Sequence, residues 1–394
     1  MGGDVNEFPR MYSFINDGGR LLPVCRDPNY YRPFTPGSRM HVSFDDLETL
    51  VEAPGAPGNE YAVADRFAEL IEPHVDSVSF DAMGNVVATS EGSDFEIMLA
   101  AHTDELGFLV EDVDDDGFLT FHMLGGHYKG NLSGQRVRVG PDGVLGVVGP
   151  RCRHYMSDDE KESLPESLRI DVGATSPEEV ADMNVEPGDY AVWDYGVSRL
   201  GNDRITGRAL DDRIALAILL AIAREEDVDA TVHYVATVQE EVGLRGARTA
   251  GYSLDPDVGI ALEIFPVDDY PAGRKEGVNA TLDGGPVVEF GDGTSEYFFG
   301  GVIVDRQTRT WLRDAANATD VDLQHDVMLT GSTDATELQQ VRGGRNAGAI
   351  AVPCRYSHSP VETLSIRDAD ATAEVLLAAL EREFPSRDDI RRPR

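Results

Sequence analysis

Short apolar runs that stop on a carboxylate or an imidazole recur along this chain, and they constrain its fold more than any other feature. The stops are Ala101-His102-Thr103-Asp104-Glu105, Ala209-Leu210-Asp211-Asp212-Arg213, Gln239-Glu240-Glu241-Val242-Gly243, Ala261-Leu262-Glu263 and Arg355-Tyr356-Ser357-His358-Ser359-Pro360. His102 follows the apolar residues 97–101, Glu240 and Glu241 follow 232–238, Glu263 follows 258–262, and His358 follows 349–352. Apolar runs this short, bounded by polar residues, read as buried strands. Asp211 instead precedes the apolar residues 214–223, which read as a buried helix. In an open α/β sheet, groups at the C-terminal ends of parallel strands collect along one edge, where ligands bind.

The rest of the chain agrees with such a sheet. After Ile205-Thr206-Gly207 the pattern predicts a helix at 212–225, a strand at 231–238, a helix at 244–250, a strand at 257–264, a helix at 307–318, a strand at 347–353 and a helix at 368–384. That rhythm predicts an α/β fold, a mostly parallel sheet with helices on both faces. Upstream, Ser43 is placed to cap a helix at 44–51, and Val63, Phe67, Leu70 and Ile71 share one face of a helix near 60–73. Strands are expected at 77–80, 85–89 and 97–101, followed by a hairpin of 107–113 and 117–124 across Asp114-Asp115-Asp116-Gly117. Between 115 and 203 helical periodicity is scarce, and short strand-like runs alternate with Gly, Pro and Asp turns. The expected organisation is an N-terminal extension at 1–40, a main α/β domain from 41–114 and 204–390 that carries all the strand-end motifs, and an inserted β-rich domain at 115–203. No ligand motif falls between Asp104 and Asp211, so the insert is expected to serve subunit contact.

Charge narrows the partners. The 394 residues carry 71 acids against 34 bases, a formal net charge of −37, and the lysines are Lys129, Lys161 and Lys275 alone. Nucleic acid and anionic membrane both need a basic face, so neither is expected as a partner. Many carboxylates with arginine but almost no lysine resemble the cytosolic proteins of halophiles. Cys25, Cys152 and Cys354 are odd in number and lack metal or disulfide spacing, which points to free thiols in a reducing compartment. The first residues lack a basic stretch followed by an apolar core, and no apolar run reaches the ~18 residues of a membrane helix. A cytoplasmic location is expected.

Each motif has a plain structural reading beside a chemical one. His102 and Asp104 read either as two polar residues at a strand end or as a metal-binding imidazole whose second ring N–H is held by a carboxylate. Asp211 and Asp212 read either as helix N-terminal acids favoured by the macrodipole or as one bridging ligand and one residue holding the backbone. Glu240 and Glu241 close a strongly apolar strand. Two adjacent buried carboxylates are costly without a cation or proton, and they divide naturally into one ligand and one general base, unless both are solvated loop acids. Glu263 stands alone in the apolar stretch 258–265, as ligand or salt-bridge partner, and His358 in its Ser/Pro/Tyr loop is weak by itself. Together, two imidazoles, three ligating carboxylates and a spare one are what two divalent ions need to share a water and hydrolyse an amide. Mixed oxygen and nitrogen ligands suit zinc, with cobalt or manganese as alternatives.

Taken in order, these motifs resemble the co-catalytic metallopeptidases of the tetrahedral (TET-type) aminopeptidase family, related to glutamyl and deblocking aminopeptidases. The likeness runs from about 44 to 384 and is sharpest in Val238-Gln239-Glu240-Glu241-Val242-Gly243-Leu244-Arg245-Gly246-Ala247. The resemblance implies that Asp211 bridges two metals, that His102 and Glu263 complete one site, and that Glu241 and His358 complete the other. It also implies Glu240 as general base, Asp104 orienting His102, and Asp212 supporting Asp211. It implies a PDZ-like or β-barrel dimerisation domain in the insert and dimers assembling to a dodecamer.

The function this implies is a two-metal exopeptidase, an aminopeptidase acting on short peptides. Glu263 stands where these aminopeptidases usually have Asp, and related carboxypeptidases and deacylases more often have Glu. An N-acyl deacylase or carboxypeptidase-type amidohydrolase on the same scaffold is therefore the alternative. Thr333-Asp334-Ala335-Thr336-Glu337 replaces the usual Thr-Asp-Ala-Gly-Ala, which implies an altered substrate pocket. A metal-independent glycosidase built on paired carboxylates is disfavoured by two histidines at ligand positions. A non-catalytic assembly protein would not require the full residue set.

Overall fold

The computed structural model describes residues 41–150, 152–158, 168–201, 203–225, 228–271, 278–294, 300–329 and 331–388, so the expected extension at 1–40 lies outside the described residues. Among them an 11-stranded sheet forms the body. Its centre is a run of parallel strands in the order Ala230–Thr237, Ser93–His102, Val258–Pro266 and Asn346–Arg355. These are the strands that the apolar runs predict. The flanks are antiparallel: Val86–Ser90 pairs with Ala230–Thr237 on one side, and Glu362–Ser365 with Asn346–Arg355 on the other. The sheet as a whole is therefore mixed, with a parallel core.

Helices cover both faces. Leu210–Glu225 packs on Ser93–His102 and Val258–Pro266, with Phe44–Glu52 and Ile366–Leu380 beside it. Every position from Ile214 to Ala223 in this helix is buried and apolar, which suits a helix at the centre of a core. On the opposite face Met98, Ala100, Val235 and Ala347 pack against Ala247, Ala250 and Leu338 of Arg245–Leu254 and Asp334–Gln340. Helix Phe44–Glu52 begins as its sequence predicts, with the Ser43 side chain accepting from the Asp46 N–H at 3.2 Å.

A six-stranded closed barrel stands apart from this sheet, built from Gly107–Val113, Phe118–Leu124, Gln135–Val139, Val144–Val148, Ile170–Asp171 and Tyr190–Trp193. It has its own core of Phe108, Leu119, Val137, Val148, Ile170 and Trp193. The barrel begins at Gly107, ahead of the boundary at 115 read from the sequence, because Gly107–Val113 pairs with Phe118–Leu124 on one side and with Tyr190–Trp193 on the other. At its far end Ser198–Leu200 leaves the barrel and pairs with Arg204–Gly207 in the large sheet. The barrel's root lies close against the turn at 53–58: a Cβ on Gly107 would stand 2.7 Å from that of Ala56.

Candidate active site

The parallel register brings the motif residues to one edge. His102 ends its strand opposite Thr237, and Glu240 and Glu241 lie in the turn that follows Thr237. Glu263 lies one strand over, in Val258–Pro266, and His358 lies in the loop after Asn346–Arg355. Gln239 (φ 56°) and His358 (φ 61°) take left-handed backbone to make these turns, a strain that is commonest at functional sites.

Asp211 stands at the centre. Its Oδ1 is 3.1 Å from His102 Nε2 and its Oδ2 is 3.5 Å from His358 Nε2, so one carboxylate spans both imidazoles. Glu263 Oε2 lies 3.7 Å from His102 Nε2, and Glu241 Oε1 lies 3.7 Å from His358 Nε2. Two groups, His102 with Asp211 and Glu241, and His102 with Asp212 and Glu263, each have ligand atoms within 4.8 Å of one another. Asp212 accepts the His102 backbone N–H through Oδ2 at 3.2 Å, while its Oδ1 is buried without a hydrogen-bond partner.

Asp104 does something other than the spacing suggests. The His102 ring meets the Asp104 backbone carbonyl through Nδ1 at 2.9 Å, whereas the Asp104 carboxylate is 3.6 Å away. That carboxylate instead accepts the backbone N–H groups of Glu240 at 2.9 Å and Glu241 at 3.0 Å. It ties the Glu240 turn to the end of the His102 strand. Behind it, Glu105 accepts the Gly55 N–H at 3.1 Å and pairs with Arg208 and Arg213 in a buried network.

The cluster is short of positive charge. Burial pushes the Asp104 carboxyl up to about 7 and those of Glu240 and Glu263 well above the carboxylate range. Burial also opposes charge on Asp211, but hydrogen bonding from His102 and His358 overcomes it and holds that carboxyl low. The same loss of water disfavours a charged His358, yet Asp211 and Glu241 beside it push its pKa up to about 10. Paired carboxylates this deep call for cations, and the unpartnered Asp212 Oδ1 and Asp334 Oδ1 ask for the same. The donor set of imidazole and carboxylate fits divalent metal ions.

A family model described as M42 glutamyl aminopeptidase matches residues 84–375. The chain belongs to this family. An M42 aminopeptidase is a peptide hydrolase, and that is the enzyme class of this chain. It is 35% identical over 338 residues to a putative aminopeptidase of Acetivibrio thermocellus, across 86% of this chain and 98% of that one. Among solved structures it is similar to aminopeptidase APDkam598 from Desulfurococcus kamchatkensis, with 38% identity, a TM-score of 0.81, and 86% and 94% of the two chains covered. The TET1 peptidase of Pyrococcus horikoshii, described as assembling into a tetrahedron or a large octahedral shell, matches with 29% identity, a TM-score of 0.75, and 85% and 98% covered.

Three contributors in this M42 aminopeptidase were given no role in the cluster by the sequence. Glu362 is buried and accepts the backbone N–H of His358 through Oε1 at 2.9 Å and that of Asp211 through Oε2 at 3.0 Å. Gly126 offers its carbonyl to His358 Nδ1 at 3.1 Å, and a Cβ there would stand 2.8 Å from that nitrogen. Asp334 holds the Thr237 hydroxyl at 2.6 Å beside the cluster. For Glu362 the signal was its place at the end of the His358 motif, four residues after that histidine.

Replacing Glu362 tests its grip. Glu362→Ala strands two buried N–H groups, each costing about 1–3 kcal/mol, so the melting temperature should fall. Glu362→Gln keeps one acceptor oxygen, so it should melt closer to the parent yet bind divalent metal about 10–100-fold more weakly. Metal titration of both variants, with unchanged affinity in each, would remove Glu362 from the site's support.

Proposed function

We propose that this chain removes N-terminal residues from short peptides, using two divalent metal ions held around Asp211. The observation that carries the reading is the Asp211 carboxylate spanning His102 and His358, with Glu263 beyond one imidazole and Glu241 beyond the other. In this reading Asp211 would hold both ions, His102 and Glu263 would complete the set for one, and Glu241 and His358 would complete the set for the other. Bound there, divalent ions would polarise the scissile carbonyl and lower the pKa of water. Glu240 takes the proton of the attacking water on its carboxylate and delivers it to the leaving amine. The Asp104 carboxylate aims Glu240 by fixing its backbone N–H, and the Asp104 and Gly126 carbonyls fix the tautomers of His102 and His358. The ions are zinc, or cobalt or manganese, on the chemistry of the donors.

A panel of free-amine peptides, blocked peptides and N-acyl amino acids, assayed with purified protein of measured metal content, tests this directly. Cleavage of free-amine peptides is expected, and hydrolysis of blocked substrates alone would overturn the aminopeptidase reading.

The chain is further read as a homo-oligomer of dimers joined through the barrel, closing to a dodecamer. The tetrahedral assembly of the Pyrococcus horikoshii relative supports this. A halophilic, cytoplasmic setting is supported by the net charge of −37 and by the free Cys152 and Cys354. No helix among the described residues is long and apolar enough to cross a membrane. Self-repulsion of so acidic a chain weakens as salt shortens the screening length from ~10 Å at 0.1 M to ~3 Å at 1 M. Activity and oligomer size should therefore fall on dialysis to low salt and persist in molar KCl, with divalent metal giving partial protection. Equal activity and size at both salts, measured by light scattering and assay, would contradict the halophilic reading.

A further inference from the structure

The cleft over the metal-ligand cluster has a volume of about 530 Å³, and its walls differ sharply from its floor. Every charged group lining it among the described residues belongs to the floor: His102, Asp211, Glu240, Glu241, Glu263 and His358. The remaining walls are uncharged. Leu244, Ile264, Pro266 and Met328 supply apolar surface, and Thr333 is small, with its hydroxyl bonded to Asp292 Oδ2 at 2.8 Å. Thr336, one of the departures from the usual family motif, donates to Asp292 Oδ1 at 3.0 Å. Its hydroxyl thus braces the segment behind the wall.

No arginine or lysine lines the cleft among the described residues, and the arginines nearest in sequence are engaged elsewhere. Arg245, next to Leu244, donates to Gln239 Oε1 at 2.9 Å. Arg355, before the His358 loop, pairs with Asp269. Asp334, the acid next to Thr333, is buried outside the lining, where its Oδ2 accepts the Thr237 hydroxyl at 2.6 Å. A charged side chain entering such walls would lose its hydration and find no counter-charge.

We propose that the substrate's N-terminal side chain is uncharged and apolar, of the leucine or methionine class, and that glutamyl and lysyl peptides are poor substrates. The inference rests on the aminopeptidase reading and departs from the glutamyl preference in the description of the matched family. Leu244, Ile264 and Met328 are the specificity-determining residues.

The test compares kcat/KM for Leu-, Met-, Glu- and Lys-first dipeptides in molar salt, with calorimetric binding of free L-leucine, L-glutamate and L-lysine as a second readout. Leu- and Met-first peptides should exceed Glu- and Lys-first ones by at least about tenfold, the scale of discrimination an apolar pocket achieves, and L-leucine should bind tightest. A preference for Glu or Lys in either readout overturns the proposal. If no free-amine peptide is cleaved, the aminopeptidase reading is what fails, and the binding arm still decides the pocket's preference. M328R places a guanidinium in the wall and should raise the Glu-to-Leu ratio at least about tenfold, by supplying the missing counter-charge. An unchanged ratio in a folded, active M328R protein counts against the assigned wall.

Discussion

Glu240→Gln is expected to lower kcat by about 10²–10⁴-fold, the usual contribution of a general acid–base group, while metal content stays at the parental level. The two halves of the prediction have separate causes. Glutamine keeps the size of the side chain and leaves the backbone N–H of residue 240 on Asp104, at 2.9 Å in the parent, so the turn that also carries Glu241 stays in place. What is lost is a carboxylate able to accept a proton and pass it on. Burial pushes the Glu240 carboxyl well above its ordinary range and so disfavours its charged form, and a neutral amide of the same size should not unfold the protein. Elemental analysis and steady-state kinetics on the same preparation decide the matter. Turnover near that of the parent, or loss of metal in the variant, would take the base role away from Glu240.

Asp211→Asn should empty the centre of metal at both positions and abolish turnover. Among the described residues, Asp211 is the one carboxylate whose two oxygens face different imidazoles, Oδ1 at 3.1 Å from His102 and Oδ2 at 3.5 Å from His358. Amide replacement removes the negative charge and turns one of those oxygens into a donor pointed at an imidazole. The backbone of residue 211 stays bonded to Glu362 at 3.0 Å, so the helix start is retained and the effect falls on the ions. The contrast with Glu263→Gln is informative: Glu263 approaches His102 alone, so that variant should lose metal from one position only. Full metal occupancy in Asp211→Asn would show that the two halves of the cluster bind independently, against a shared bridge.

The distance between what could and could not be read from the sequence is clearest around Asp104. Its i, i+2 spacing from His102 correctly marks the pair as neighbours in a buried strand end. It does not say which atom of Asp104 meets the ring. The carbonyl takes the ring nitrogen, and the carboxylate serves Glu240 and Glu241, whose positions 136 and 137 residues away no local pattern encodes. Glu362 was hidden for the same reason, since the N–H of Asp211 that it holds lies 151 residues upstream. The strands Val287–Asp292 and Gln324–Met328 also escaped, because buried acids such as Glu289 and Asp292 interrupt the apolar pattern that identifies a strand.

The sequence by itself determined the α/β architecture, the parallel core and which motif residues meet at the C-terminal edge of its strands. Apolar period and strand ends are local properties, and burying those runs permits few arrangements. Tertiary structure alone decided the rest: that one Asp211 carboxylate spans two imidazoles, that the barrel begins at Gly107, and that Gly126 at its rim reaches back to His358. Those outcomes depend on hydrogen bonds and close approaches between segments far apart in the chain. Their partners are chosen by geometry after the sheet has assembled, and neither periodicity nor spacing carries that information.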